Sequence, residues 1–457
     1  MADGTWTDLK ITFKTQGTKD RPITLCAQTP GKVVLNGESS LQIAGRFLVV
    51  EGLHFQSATA GPAVSAVVFR ASPMEVASDC RLTQCAIIDY SPANKTVSTN
   101  YVTLFGQRNR VDHCYFRGKT NRSATLVVNF DPGAPSNDHR IDHNYFAQRP
   151  RLGVNGGETI QIGWSGAQHV NSRTTVEFNY FEDCNGEAEI ITNKSCENIY
   201  RSNTFVRCLG VLSLRVGDRC TVEGNFFLGQ DTPHTGGVHV FGQDHRIINN
   251  YFSGLKGSGV RSALSLMSGS NLVTVGDKIL AHDPRGVPLH PQVSHALVAF
   301  NTFVDCTSPV DIGVAYDRFV KESTLVPTDC IVANNILQGD GTGPIVKYSA
   351  TPTHILWAGN LAFGGPLGIP PCDGIEVHDP KLVRDATGIW RPAAGSAALG
   401  AAAGGYPVLT DIDGQPRPEM GKDIGCDQRS PAPIEHRPLT PRDVGPRWLA
   451  AASIESH

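Results

Sequence analysis

No two of the 12 cysteines stand as a CxxC pair, so the spacing of a structural zinc site is missing. Scattered through strand-like apolar stretches, they read as buried free thiols. No run of about 18 apolar residues occurs, which excludes a membrane-spanning helix. The basic excess of a nucleic-acid-binding chain is also missing: 40 Lys and Arg stand against 43 Asp and Glu, a net charge of −3. A polyanion would need a local basic groove. The opening MADGTWTDLK does not read as a signal peptide. That leaves a cytoplasmic protein or one whose export signal has been removed.

Helical periodicity is scarce, and a different period takes its place. Two apolar or β-branched residues, a short spacer, then Asn and an aromatic or aliphatic pair recur as VDHCYF (111–116), IDHNYF (141–146), VEFNYF (176–181), VEGNFF (222–227), IINNYF (247–252) and VAFNTF (298–303). The small or Asn position falls at 52, 85, 114, 144, 179, 203, 225, 250, 301, 335 and 360. A drifting period of this size marks a solenoid. Short β-type runs between Gly, Asn and Asp turns predict an all-β, right-handed parallel β-helix of ten or more coils, with about three strands per coil. Asn at the repeat position tolerates the left-handed conformation at a tight bend, and stacked Asn side chains can bond along a ladder. The 457 residues then form one elongated domain. The long gap between positions 250 and 301 is an insertion, 270–296, of the kind that builds a groove. The pattern fades from about residue 365, and the tail 437–457 is expected to pack along the outside or fray.

One stretch carries an odd charge pattern. GEAEIITNKSCEN (186–198) holds Glu187 and Glu189 two residues apart, then Lys194. Residues two apart on a strand share a face, so both carboxylates can reach one ion. A salt-bridged surface and a metal site beside a base are both open on spacing alone.

Several motifs, in order and over almost the whole chain, resemble polysaccharide lyase family 6, which contains alginate lyases and chondroitinase B. The resemblance runs from GTKDRPITLCAQTPGKVVLNGESS (17–40) through NGGETIQIG (155–163), EAEIITNKSCENIYRSNTF (187–205) and LSLRVGDRCTVEGNFFLG (212–229) to DIDGQPRPEMGKDIGCDQ (411–428). Family members usually carry a cap segment ahead of a DGTW-like turn, so the first coil here is expected to be frayed or covered by another part of the chain.

The resemblance implies β-elimination on a 4-linked uronate polymer, most simply alginate, in a periplasmic or secreted monomer. It implies calcium on Glu187, Glu189 and Asn155, an all-oxygen set that suits a hard cation. Lys194 matches the base that takes the C5 proton; it must act neutral, against an ordinary pKa near 10.4. Arg215, one coil later, matches the residue at the O4 leaving group. Its pKa favours charge stabilisation over proton donation. Arg261 is a candidate clamp on a substrate carboxylate, with His239, Lys119 and Arg122 as further groove candidates. Val216 stands where His is common in the family, and His239 where Arg is common. A dermatan sulfate lyase and a non-catalytic carbohydrate-binding β-helix are the competing readings. A β-helical glycoside hydrolase would instead need paired acids and no lysine base.

Overall fold

The computed structural model describes residues 1–57, 64–130, 136–276, 278–281, 283 and 285–449. The chain is a parallel β-helix, and it divides into two compact units, Met1–Ile199 with Leu439–His457, and Tyr200–Pro438.

In the first unit each coil lays one strand on each of three parallel sheets. Tyr115–Arg117, Tyr145–Arg149 and Tyr180–Cys184 stack on one. Arg110–Asp112, Arg140–Asp142 and Thr175–Glu177 stack on another. Leu126–Val128, Ile160–Gly163 and Glu189–Lys194 stack on the third, with Ile160 opposite Ile191 and Gly163 opposite Lys194. The second unit repeats the plan, for example through Phe226–Leu228, Tyr251–Ser253 and Thr302–Cys306, and through Val211–Val216, Val238–Val240, Leu264–Met267 and Val310–Val314.

The register follows from identical residues stacking on identical residues. Phe116, Phe146 and Phe181 form a column with ring centroids 5.1 and 4.9 Å apart. Phe205, Phe227, Phe252 and Phe303 form another at 4.6, 4.8 and 4.5 Å. Each such pair adds about 0.5–1.5 kcal/mol beyond its area, and a slip by one residue would turn every ring to the solvent face. The Asn ladder is present as expected. Asn225 donates to Asn250, Asn250 to Asn301, Asn301 to Asn335 and Asn335 to Asn360, each through Nδ2 to Oδ1 at 2.9–3.0 Å. One detail is corrected. The left-handed residue is the one before the ladder Asn: His143, Phe178, Ser202, Asn249, Phe300 and Asn334 hold φ between 52 and 55°. The ladder Asn itself must face inward to bond its neighbours, so the bend falls one position earlier.

The insertion between Asn250 and Asn301 forms a small antiparallel sheet of Val273–Val275, Lys278–Leu280 and Val287–Pro288. The three strands of the first coil, Gly4–Thr7, Lys10–Gln16 and Ile23–Cys26, all pair with the next coil. The tail packs on the outside of the first unit. Gly445 N donates to His143 O at 2.8 Å, and Trp448 Nε1 to Gln84 O at 2.6 Å; residues 450–457 lie outside the described residues. Cysteines are unpaired and mostly buried, but Cys26 and Cys372 are exposed, contrary to the expectation for a buried set.

Candidate active site

In the first unit the strand Glu189–Lys194 starts at Glu189, not before it. Glu187 therefore sits on the preceding bend rather than on the strand face expected from its spacing. The bend still brings it to Glu189, because Gly186 and Gly157 touch backbone to backbone: a Cβ at Gly157 or Gly186 would overlap the other's carbonyl oxygen. Through this contact the bend meets the loop 155–158. Carboxylate oxygens of Glu158, Glu187 and Glu189 all lie within 4.8 Å of one another.

Each carboxylate is held differently. Glu187 Oε2 accepts the amides of Gly156 at 3.0 Å and Gly157 at 3.3 Å. Glu189 Oε2 accepts Thr192 Oγ1 at 2.6 Å. Glu158 is only 4% exposed, and its Oε2 has no hydrogen-bond partner. Burial, then the charges of Glu158 and Glu189, push the Glu187 carboxyl up to about 8. Three clustered carboxylates with an orphaned buried oxygen and no nitrogen or sulfur donor fit a hard divalent cation. Two oxygens bound at about 2.3–2.6 Å from one calcium are at most about 5 Å apart.

Glu158 was missed in the sequence, although it lies in the NGGET string that supplied Asn155. Asn155 is exposed, three residues ahead of it.

Lys194 ends the strand, half-buried, on the same face as Thr192, the residue that binds Glu189. Among the described residues it forms no ion pair with Glu187, whose Oε2 accepts the Gly156 and Gly157 amides. Opposite Lys194, Gly163 adopts φ +80°, and a Cβ there would lie 2.8 Å from both Lys194 O and the Phe130 ring. The missing side chain lets an aromatic pair, Phe130 and the 44%-exposed Trp164, stand beside the lysine's rung with centroids 5.5 Å apart.

Lys119, expected on a groove surface, is instead 2% exposed. Its Nζ donates to Asn121 O at 3.0 Å, Asn121 Oδ1 at 2.7 Å and Arg122 O at 3.2 Å, and burial lowers its pKa to about 6. It ties its own loop together. Arg122 remains exposed, against Gly156.

In the second unit Arg215 is fixed by the insertion. Its Nη1 donates to Leu289 O at 2.7 Å and its Nη2 to His290 Nε2 at 2.9 Å. The guanidinium lies 5.3 Å from the Phe241 ring and 5.5 Å from Tyr316, a cation–π setting, and His290 stacks on Phe241 at 5.1 Å. His290 and Tyr316 are absent from the sequence-based set; only their place in or near loops hinted at them. His239 is 1% exposed, with Nε2 at Ser213 Oγ and 3.4 Å from Tyr316 Oη. It is thus buried rather than open to a groove. Arg261 donates Nε to Leu209 O at 2.8 Å. It lines a cleft of about 720 Å³ with Lys256, Tyr316 and Lys347.

A second acidic trio, also unforeseen, is Asp411, Asp413 and Asp427 in the second unit. Arg391 sits in it, with Nη1 2.7 Å from Asp413 and 2.6 Å from Asp427, and Nε 2.6 Å from Asp385.

The sequence profile described as chondroitinase B matches residues 1–362. No curated protein matches the chain. Among solved structures, the family 6 alginate lyase AlyGC is 33% identical, with a TM-score of 0.81 over 98% of this chain and 55% of its own. The chain thus spans about half the length of that relative. A mannuronic-acid-specific family 6 lyase from human gut microbiota is 28% identical, with a TM-score of 0.69 over 79% of each chain. A family 6 polysaccharide lyase from Pseudopedobacter saltans is 25% identical, with a TM-score of 0.70 over 98% of this chain and 94% of its own.

Proposed function

This chain belongs to the chondroitinase B family, polysaccharide lyase family 6, and from that premise we propose that it cleaves alginate by calcium-assisted β-elimination. The observation that carries the reading is the carboxylate trio of Glu158, Glu187 and Glu189 on the strand and loops that lead to Lys194. Glu187 and Glu189, with Asn155 from the adjoining loop, would hold the cation, and Glu158 would border it. A bound calcium would neutralise the substrate carboxylate and so acidify C5.

The chain's own residues carry the rest. Lys194 Nζ, as the free amine, takes the C5 proton. Arg215 places a fixed positive charge for the O4 oxygen as its bond to C4 breaks, and water supplies the final proton. Its clamp on Leu289 O and His290 Nε2 supports that role, because a charge held in place needs no reorganisation during the reaction. Trp164 offers an exposed aromatic face for a sugar ring next to the base. Arg261 remains the candidate for a neighbouring uronate carboxylate.

Unsulfated alginate is favoured over dermatan sulfate by the state of the cleft cations. Lys256 is already bound to Asp231 at 3.1 Å and Asp340 at 3.0 Å, and Lys347 lies 3.6 Å from Asp311. Little uncompensated charge is left there for sulfate. The relatives named as alginate lyases point the same way. A periplasmic or secreted site of action, and a monomer, complete the proposal.

The test is ultraviolet absorbance of unsaturated uronate after mixing the protein with poly-mannuronate, poly-guluronate and dermatan sulfate, with calcium or chelator. Absorbance should rise on an alginate block and fall with chelator. Lys194→Ala should lose about 10²–10⁴-fold in kcat, the usual share of a general base. Folded protein that gives no absorbance on any of the three polymers would sink the lyase reading.

A further inference from the structure

Behind the carboxylates, and not among them, lies a second cationic residue that the proposed chemistry does not use. Arg149 ends the strand Tyr145–Arg149 and is 3% exposed. Among the described residues its guanidinium forms no ion pair, and it donates to four backbone carbonyls and one threonine hydroxyl. Nη1 donates to Glu158 O at 2.6 Å and to Thr125 Oγ1 at 2.8 Å. Nη2 donates to Gly156 O at 3.1 Å, Ser123 O at 2.8 Å and Asn121 O at 3.4 Å.

Two of these acceptors, Gly156 and Glu158, bracket the loop whose amides hold Glu187 and whose side chain supplies Glu158. The same residue reaches the other carboxylate segment through its main chain: Arg149 O accepts Asn185 N–H at 2.8 Å, just ahead of Gly186 and Glu187. A Cβ on Gly186 would also come 2.6 Å from Arg149 Nε. One buried residue thus fixes both segments that converge on the trio, the loop through its fork and the bend through its carbonyl. The hold on the loop needs arginine, because a planar guanidinium reaches acceptors on two sides while an ammonium is a point donor. Its positive charge also opposes the mutual repulsion of the three carboxylates without entering their oxygen cage.

We propose that Arg149 is a positioning residue for divalent-cation binding: it holds the loop 156–158 against the bend 185–187, so that Glu158, Glu187 and Glu189 converge before the ion arrives. This rests on the cation reading given above. Residues that orient ligands from behind typically change metal affinity by about 10–100-fold when replaced.

The test is calorimetric titration of calcium into the metal-stripped full chain, with folding checked by circular dichroism. Arg149→Lys should bind calcium at least about tenfold more weakly than the parent, and the Gly156 and Gly157 amides should lose protection from hydrogen exchange. The kcat of the variant should recover in excess calcium while KM for the polymer stays near the parent value. A purely structural arginine would lower the melting temperature and leave calcium affinity unmoved. Should Arg149→Lys fail to fold, Gly186→Ala disturbs the same contact from the other side and is expected to weaken calcium binding likewise. Parent-like calcium affinity in the folded variants would overturn the positioning role alone. A parent that takes up no divalent cation would overturn it together with the cation reading.

Discussion

Two trios of carboxylates occur in this chain, and they are built in opposite ways. In the second unit Asp411, Asp413 and Asp427 are closed by the Arg391 guanidinium, which bridges Asp413 and Asp427 directly. Asp411 there accepts the amides of Asp413, Gln415 and Gln428 at 2.7–3.0 Å. In the first unit Glu187 accepts the Gly156 and Gly157 amides, Glu158 keeps a buried oxygen with no hydrogen-bond partner among the described residues, and the nearby Arg149 donates to backbone carbonyls. A cluster with its counter-ion built in is a lock. A cluster whose arginine shapes the loop instead has the build of the ion receptor proposed above. Counting acidic residues would not separate the two; the destination of the nearest arginine does.

The largest expected effect comes from breaking the lock. Arg391→Met leaves Asp413 and Asp427, 2% and 9% exposed, without their shared cation, and should cost about 3–5 kcal/mol in chemical denaturation. A loss under 1 kcal/mol would mean that the bridge is ornamental.

An effect of opposite sense, spread over the pH range, is expected in the open trio. Glu187 titrates near 4.5 when unperturbed and at about 8 in the fold. Between those values the native state holds more proton than the unfolded chain, so stability of the metal-free protein should fall as pH rises from about 4.5 to about 8. The slope from one proton is at most about 1.4 kcal/mol per pH unit. Glu187→Gln should remove that fall, and calcium should offset it in the parent. Denaturation midpoints across this pH range read it directly; identical pH slopes for parent and Glu187→Gln would remove the repulsion from the account.

The solenoid itself was legible because its information is periodic. Ladder positions such as 225, 250, 301, 335 and 360 carry their Asn in every coil, and the structure stacks them as hydrogen-bonded neighbours. The 51-residue gap was legible as an insertion for the same reason. What escaped is what lies between the periods. Glu158 joins Glu187 only because two glycines let a loop and a bend meet, a contact with no sequence period. His290 reaches Arg215 from an insertion 75 residues away. Lys119 resembled a groove cation in a basic loop, and only the fold reveals that its ammonium is buried on the carbonyls of that loop. Carboxylate identity could be read from the string GEAEIITNK; the open or closed state of each carboxylate cluster could not.

The central claim is that the open trio, and not the locked one, takes up the cation. Calorimetric titration of calcium into the metal-stripped chain tests it most directly, run on the parent, on Glu187→Gln/Glu189→Gln and on Asp411→Asn. The account predicts one bound ion in the parent, none in the glutamate variant and one in the aspartate variant. Uptake that survives the glutamate changes and disappears with Asp411→Asn would contradict it.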